Sequence, residues 1–228
     1  MAKSAKPASK IQNQRAAHLS GPFLVDWGAK RRGFTCEDRR SIRAGTDYHV
    51  NQRYEMASTL HIQPLDKSLH DRANFDCGVP ALNDYLARQA ALDMQRKASG
   101  CWVITAQAGS KTVLGYYTLS AEAIEAVDLP EMPKAISKKL PRYRRFGAAL
   151  LGRLAVDQSQ QGQGIGELLL MDAFHRCLVM DIPVVVIVVD PKDLKAAAWY
   201  ERFGFTPLTE DRMVVTLLEL EARFNELG

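Results

Sequence analysis

A glycine-rich segment between two apolar stretches restricts the folds open to this chain of 228 residues more than any other feature. The segment, residues 161–166, reads QGQGIG. Residues 148–156 before it are mostly apolar, and residues 167–180 after it carry apolar side chains at helical spacing, which predicts a strand, a loop and a helix. Backbone N–H groups and the positive end of the helix dipole then converge at the loop, which favours an anion such as a pyrophosphate there.

The glycine spacing separates this loop from two common phosphate-binding motifs. A dinucleotide-binding fingerprint has its third glycine five positions after the first, where this chain has Glu167. A P-loop ends in Gly-Lys followed by Ser or Thr, and the sequence contains no such run. Taken alone, the loop is also consistent with a simple tight turn.

Patterns in the rest of the chain predict further strands and helices. Three prolines interrupt residues 122–145, where at most a short helix is expected. Asp193 is the expected N-cap of a helix that stops at Gly204. We therefore predict an α/β chain of the mixed α+β kind, with a mixed central sheet and flanking helices. The other predicted elements are strand 59–65, helix 75–97, hairpin strands 101–107 and 112–120, strand 184–189 buried on both faces, strand 212–218 and an acidic C-terminal helix.

The basic excess of the chain lies in its first 55 residues. Residues 1–55 carry 11 Lys/Arg against 5 Asp/Glu, whereas residues 56–228 carry 19 against 21. The first segment has few periodic apolar positions, so we interpret it as a leader with little fixed structure. Two explanations stay open: a nucleic-acid-binding arm, or an upstream extension before a physiological start at Met56. Residues 56–228 are predicted to form one folded domain.

Composition excludes several classes of protein. Hydrophobic residues make up 46% of the chain and charged residues 25%, which is unlike a fully disordered, collagen-like or membrane-embedded polypeptide. No apolar run approaches the roughly 20 residues that cross a bilayer, and no secretion signal is recognisable, so we expect a cytoplasmic location and no membrane partner. The cysteines, separated by 41, 24 and 76 positions, are interpreted as reduced thiols, and no metal site is expected. They are Cys36, Cys77, Cys101 and Cys177.

The segments RLAVDQSQQGQGIG (153–166) and WYERFGF (199–205) resemble those of GCN5-related N-acetyltransferases, or GNATs. The resemblance implies acetyl-CoA as acetyl donor, with its pyrophosphate on the glycine loop and its pantetheine arm between two splayed parallel strands, 151–156 and 184–189. The helix that ends in Tyr200 would then lie over the CoA sulfur, and Tyr200 is the candidate general acid; alternatively it only packs beside its aromatic neighbours. The implied cofactor-binding residues are Leu154, Ala155, Val156, Gln161, Gly162, Gln163, Gly164, Ile165 and Gly166.

Within that superfamily, residues 75–86, 113–119 and 151–157 resemble the acetyltransferase toxins of toxin–antitoxin pairs. The resemblance covers roughly residues 57–220 and implies the α-amino group of aminoacyl-tRNA as acceptor. It also implies a cognate antitoxin, expected to be of the ribbon-helix-helix type, and leaves a homodimer open. The chain departs from the family pattern at residues 143–147, where Pro-rich sequence is common, and at position 193, where many members have Asn.

A cationic stretch supports a nucleic-acid acceptor. Between Met132 and Val156 there are seven basic residues and no acidic one, in a domain that is otherwise net negative. We expect this set to bind tRNA phosphates, with Tyr143 and Phe146 stacking on an unpaired 3′ end. A solvated face or a surface for an acidic partner remains the alternative. The residues are Lys134, Lys138, Lys139, Arg142, Arg144, Arg145 and Arg153.

Two other functions stay open from the residues alone. One is a housekeeping GNAT that acetylates a protein or small-molecule amine. The other is a non-enzymatic acyl-CoA-binding regulator that uses the basic leader on DNA.

An α-amine has a reference pKa of about 7.7–8.0, so acetyl transfer to it needs no strong base, which suits a chain without an obvious catalytic carboxylate.

Overall fold

The structure is a computed structural model that describes residues 60–128, 138, 140 and 142–227. The predicted leader, residues 1–55, lies outside the described residues, and so do Lys134 and Lys139 of the basic set. Within the described part, no helix combines the length and the apolar character needed to span a membrane.

The described chain alternates strands and helices in nearly the predicted order. Helix α1 has three consecutive segments: Pro80–Asp84 and Ala90–Gln95 are α-helical, and Tyr85–Gln89 between them forms a π-helical turn. Single 3-10 turns follow two of the strands, at Ala126–Asp128 and Gln158–Gln160. The other elements are β1 (His61–Pro64), β2 (Gly100–Thr105), β3 (Gly115–Glu125), β4 (Arg145–Val156), α2 (Ile165–Val179), β5 (Val186–Val189), α3 (Leu194–Glu201), β6 (Thr206–Pro207), β7 (Met213–Thr216) and α4 (Leu217–Leu227).

Seven described strands form one mixed sheet in the order β1-β2-β3-β4-β5-β7-β6. Neighbouring strands are antiparallel except for β4 and β5. These two run parallel, from Ala148 opposite Val186 to Leu151 opposite Val189. The predicted fold class, a mixed sheet with helices on it, is confirmed.

Strands β4 and β5 separate beyond the pair Leu151 and Val189. β5 ends there, whereas β4 continues through residues 152–156 with only β3 beside it in the described sheet. A bulge at Gly152, where the pairing with β3 slips by one residue, marks the start of the separation. The expected opening is present, but its bounds differ from the predicted ones, because the described β5 is paired with β4 along its whole length instead of splaying over 184–189.

Helices cover both faces of the sheet at the end where β4 and β5 separate. Successive residues of β3 point to opposite faces. The Tyr116 hydroxyl donates to the Leu82 carbonyl of α1 at 2.8 Å, and the Tyr117 hydroxyl donates to Asp172 of α2 at 2.5 Å. Helix α1 and helix α2 therefore pack on opposite faces, and the residues of β4 that alternate between these faces meet both helices.

Two predicted elements have different bounds for identifiable reasons. Helix α1 begins at Pro80 and not at position 75, because Pro suits the first helical turn and Gly78 before it has a φ of +81°. Strand β3 continues to Glu125 and pairs with β4 from Arg145 onward, so part of the stretch predicted to hold a short helix belongs to the sheet. The two-residue strand β6 has no counterpart among the predicted elements.

Candidate active site

The glycine loop joins β4 to α2, as the sequence predicts. Gly162 and Gly164 have φ values of +78° and +86°, in the left-handed region that other residues rarely adopt. A Cβ atom at either position would meet no atom within 4 Å, so the space beside both glycines is open. No described residue accepts a hydrogen bond from the N–H groups of residues 162–166. Unused donors at the start of a helix make this loop suitable for an anion.

The side chains of the loop hold its shape. The Gln161 amide donates to the carbonyl oxygens of Val156 and Cys77, each at 3.1 Å. The Gln163 amide donates to the Ser159 carbonyl at 3.2 Å. Ile165 is buried and anchors the start of α2 in the core. These side chains are therefore engaged with the protein, and their backbone N–H groups are what the loop offers to a ligand.

The open part of β4, the glycine loop and α3 meet at Gly166. A Cβ atom on Gly166 would lie 3.7 Å from the Val156 side chain, 3.9 Å from Leu154 and 3.7 Å from the Trp199 ring. Ala155, between those two β4 residues, instead packs in the buried cluster under α1. The predicted donor-site residues are therefore brought together, and Ala155 can contribute only its backbone.

Helix α3 places Tyr200 next to this meeting point. The Asp193 carboxylate accepts a hydrogen bond from the Ala196 N–H at 2.7 Å, which confirms the predicted N-cap. Gly204, with a φ of +94°, follows the helix end as predicted. The Tyr200 ring lies beside Trp199, with ring centroids 5.0 Å apart.

The Tyr200 hydroxyl differs from those of the other buried tyrosines. Tyr116 and Tyr117 both donate hydrogen bonds within the core, whereas no described residue accepts one from Tyr200. Burial raises the pKa of the Tyr200 phenol, so the group stays protonated at neutral pH. Its ring also packs against Phe205 at 5.3 Å, so a packing role and a proton-donating role are both compatible with this geometry.

The five described members of the predicted tRNA-binding set lie in two places. Arg142, Arg144 and Arg145 are exposed at the entry to β4, and Lys138 is also exposed. Arg153 lies eight positions beyond Arg145 on β4, which is about 26 Å at the usual rise of a strand. Among the described members, Arg142, Arg144 and Arg145 thus lie at one end of β4, and Arg153 belongs to the end that separates from β5.

Neighbours modify the charge at both places. Glu125 pairs with Arg144 at 3.4 Å and also with Arg145. The Arg153 guanidinium lies over the Tyr85 ring, 3.5 Å from its centroid. The net positive charge at the β4 entry is thus smaller than the sequence alone indicates, because Glu125 lies 19 positions before Arg144 and 20 before Arg145 but pairs with both.

One predicted contact is wrong. Phe146 was expected to stack on an unpaired base together with Tyr143, but Phe146 is 5% exposed and faces the core. The alternation of β4 explains this result, because Arg145 and Gly147 on either side of Phe146 are exposed. Tyr143 is 69% exposed and remains available for stacking.

The sequence did not predict a charged network that joins β3 to the residue after β5 and the residue before β7. Arg212 donates to Asp190 at 2.6 and 2.9 Å and to Glu122 at 2.7 Å. The second carboxylate oxygen of Glu122 is buried and has no hydrogen-bond partner among the described residues. These residues lie on three different strands or strand ends, so no local pattern could have joined them.

Cysteines and metal-ligating side chains contribute no further centre in the described residues. Cys77, Cys101 and Cys177 are buried free thiols, and Cys36 lies outside the described part. Burial raises the pKa of Cys101 and of Cys177 to about 12, as expected for core thiols. No group of three or more His, Cys, Asp or Glu residues in the described part could hold a metal ion.

Comparison with known proteins agrees with this geometry. The family model for the acetyltransferase (GNAT) domain matches residues 97–207. The tRNA-acetylating toxin of Mycobacterium tuberculosis (strain ATCC 25618 / H37Rv) is 33% identical over 155 residues, covering 67% of this chain and 89% of that protein. AtaT complexed with acetyl-methionyl-tRNAfMet superposes with a TM-score of 0.65 at 30% identity, covering 72% of this chain and 99% of AtaT. A variant AtaT toxin bound to the C-terminus of the antitoxin AtaR and to acetyl-CoA superposes with a TM-score of 0.61 at 26% identity, covering 72% of this chain and 98% of that toxin. This chain belongs to the GNAT family of acetyltransferases.

Proposed function

We propose that this protein is an acetyltransferase toxin that moves the acetyl group of acetyl-CoA to the α-amino group of aminoacyl-tRNA and so blocks translation. The observation that carries the proposal is the set of unused N–H groups on residues 162–166 beside the open edge of β4. The acceptor is supported by the likeness to AtaT and to the tRNA-acetylating toxin, and by the exposed arginines at the entry to β4.

The donor fits the geometry in two parts. The pyrophosphate accepts hydrogen bonds from the N–H groups of residues 162–166, where the glycines leave the backbone accessible. The pantetheine arm lies along residues 152–156, and its amides pair with strand groups that have no β5 partner. The acetyl thioester then lies between β4 and the end of α3, close to Tyr200.

The chemical step needs an amine, an oxyanion donor and an acid. The neutral α-amine attacks the thioester carbonyl carbon, a C–N bond forms and the C–S bond breaks. A backbone N–H of residues 154–156 stabilises the developing oxyanion. Tyr200 gives its proton to the departing CoA sulfur and regains one from water, while the new amide nitrogen releases its extra proton to solvent.

The test of this function is a product analysis. The protein, acetyl-CoA labelled in the acetyl group and a mixed pool of charged tRNA are incubated, and the ester bond is then hydrolysed. N-acetyl amino acid should carry the label, and uncharged tRNA should remain unlabelled because it offers no aliphatic amine. Label found only on protein amines would instead favour the housekeeping acetyltransferase, and absence of CoA thiol release would favour a non-enzymatic regulator.

Replacing Gly164 with Glu is expected to weaken acetyl-CoA binding by about 10- to 100-fold. At a φ of +86° a residue with a Cβ atom costs about 1–2 kcal/mol, and the carboxylate repels the pyrophosphate. Gly109→Glu is the matched control, because Gly109 has a φ of +78° and open space but lies in the β2–β3 connection. Titration calorimetry measures both; equal affinities in two folded variants would exclude the loop as the pyrophosphate site.

Removal of residues 1–55 is expected to leave acetyl-CoA affinity and acetylation rate within about twofold of the full chain. Every residue assigned to the donor site lies after Met56, and the segment before it is proposed to be a leader with little fixed structure. The same calorimetric and product measurements on both chains test this. A large loss on truncation would mean that the leader takes part in binding.

The partners follow from the same function. We propose a cognate antitoxin of the ribbon-helix-helix type, whose acidic segment covers the exposed arginines at the entry to β4. We also propose that the protein forms a homodimer and that it acts in the cytoplasm, where aminoacyl-tRNA is found. Ultracentrifugation of the purified protein tests the dimer, and copurification with the product of a neighbouring gene tests the antitoxin.

A further inference from the structure

A short loop before α1 is tied to the turn that leads into the glycine loop. The Asp76 N–H donates to the Asp157 carboxylate at 3.1 Å, and the Asp76 carbonyl accepts from the Gln158 N–H at 2.8 Å. The Gln158 side-chain amide in turn donates to the Asp76 carboxylate at 2.8 Å. Residues separated by about 80 positions thus hold each other at the turn that precedes the N–H groups assigned to the pyrophosphate.

The second oxygen of Asp76 organises its own loop. It accepts hydrogen bonds from the Gly78 N–H at 2.9 Å and from the Asn83 amide at 2.8 Å. Asn83 closes the arrangement by accepting from the Cys77 N–H at 3.0 Å. These donors lower the pKa of the Asp76 carboxyl, so it is ionised at neutral pH. Asp76 therefore connects α1 to the turn at Gln158 through both carboxylate oxygens.

The charge of this connection is opposite to what an anion site needs. Asp76 and Asp157 place two carboxylates at the turn that leads into the loop assigned to a pyrophosphate, and among the described residues no Lys or Arg pairs with either of them. Each carboxylate weakens binding of a polyanion by repulsion. Their contribution to a working donor site must then come from the hydrogen bonds that fix the turn.

We propose that Asp76 is a positioning residue of the donor site, which holds the turn at Gln158 so that the N–H groups of residues 162–166 are preorganised for the pyrophosphate. This inference rests on the proposed function, because it takes acetyl-CoA as the ligand of the glycine loop. Two effects of removing the Asp76 carboxylate have opposite signs. Loss of charge strengthens binding of the polyanion, whereas loss of preorganisation weakens it.

The experiment compares four variants of the full chain by acetyl-CoA calorimetry, steady-state kinetics and thermal unfolding. Asp76→Ala should weaken acetyl-CoA binding about tenfold or more, raise the KM for acetyl-CoA to match and leave kcat at saturation nearly unchanged. Asp76→Asn should bind within about threefold of the parent, because its amide oxygen still accepts and the Gln158 amide can rotate. Gln158→Ala, which removes an exposed side chain, should weaken binding about three- to tenfold.

Asp71→Ala is the matched control. The Asp71 carboxylate caps a similar turn by accepting from the Ala73 and Asn74 N–H groups, but it makes no hydrogen bond to the turn at Gln158. Its removal should leave acetyl-CoA affinity unchanged. The control thus separates loss of any turn-capping carboxylate from loss of the connection between the loop before α1 and the turn at Gln158.

Three outcomes would overturn the inference. The first is acetyl-CoA binding by Asp76→Ala that is as tight as in the parent or tighter, since the loss of repulsion would then outweigh the loss of preorganisation. The second is unchanged affinity in Gln158→Ala, which decides the matter if Asp76→Ala fails to fold. The third is a fall in kcat at constant KM. If the parent chain itself does not bind acetyl-CoA, the proposed function fails together with this inference, which distinguishes that case from the other three.

Discussion

Replacing Tyr200 with Phe is expected to lower the turnover number of acetyl transfer by about 10²- to 10⁴-fold, the range that general acid catalysis contributes. The variant deletes one hydroxyl and keeps the ring contacts with Trp199 and Phe205. No described residue accepts a hydrogen bond from the Tyr200 hydroxyl, unlike the hydroxyls of Tyr116 and Tyr117, so removal of this hydroxyl breaks no hydrogen bond in the described core. Acetyl-CoA affinity and thermal stability should therefore stay near those of the parent chain.

Tyr116→Phe provides the control for this substitution. Tyr116 is fully buried, and its hydroxyl already donates to the Leu82 carbonyl. Its loss should cost about 0.5–1.5 kcal/mol of stability and leave the single-turnover rate nearly unchanged. A wild-type single-turnover rate in Tyr200→Phe would instead mean that Tyr200 only packs at the end of α3.

The pH dependence of the parent enzyme follows from the same assignment. Below the pKa of the acceptor amine, about 7.7–8.0 or lower for an ester, the rate should rise with pH as the neutral amine becomes populated. Burial raises the pKa of the Tyr200 phenol above its ordinary value of about 10, so the acid form persists on the alkaline side. The rate should thus reach a plateau and not fall before pH 10.

The parts of the site that were predictable are those encoded by neighbouring residues. The glycine loop needs only a strand before it, a helix after it and glycines at positions with positive φ. The helix that carries Tyr200 has its N-cap at Asp193 and its stop at Gly204, each within three residues of an end of α3. Backbone geometry and capping act over one or two turns, so the linear sequence contains the signal.

The parts that were not predictable depend on pairing between distant strands and loops. Asp76 and Gln158 are 82 positions apart, and no periodicity or motif spacing relates them. Phe146 was predicted to be an exposed ring among arginines. The β3–β4 pairing extends as far as Phe146, and its side chain lies on the buried face of β4. Glu125 likewise reaches Arg145 only because β3 extends far enough to place the two residues opposite each other. A single sequence gives no measure of that extension.

Charge reversal of Arg142, Arg144 and Arg145 to Glu is expected to raise the KM for aminoacyl-tRNA on the order of 10³-fold near 0.05 M salt. Each lost phosphate contact removes the release of condensed counterions, which changes the logarithmic salt slope by about 0.7–0.9. The slope should thus decrease by about two to three in the variant. Acetyl-CoA binding should not change, because the three arginines lie at or just before the first residue of β4, whereas the glycine loop follows its last residue.

A second triple variant controls for net charge. Lys67, Arg96 and Lys97 are exposed basic residues around the start of β2, near the outer edge of the sheet. Their replacement by Glu changes the total charge by the same amount. If this control raises the KM as much as the first variant does, general electrostatic attraction and not a specific surface accounts for the effect.

Glu125→Gln should act in the opposite direction and lower the KM for aminoacyl-tRNA. Glu125 pairs with Arg144 and Arg145, whose side chains are 91% and 72% exposed. Ion pairs of such exposure contribute only about 0–1 kcal/mol, so a phosphate can displace Glu125 from the arginines. The phosphate must nevertheless compete with Glu125 for them. Neutralising Glu125 removes that competition and one repulsive charge. A lower KM in Glu125→Gln, together with a higher KM in the arginine variant, would locate phosphate contacts of the tRNA at the entry to β4; an unchanged KM in both would place those contacts elsewhere.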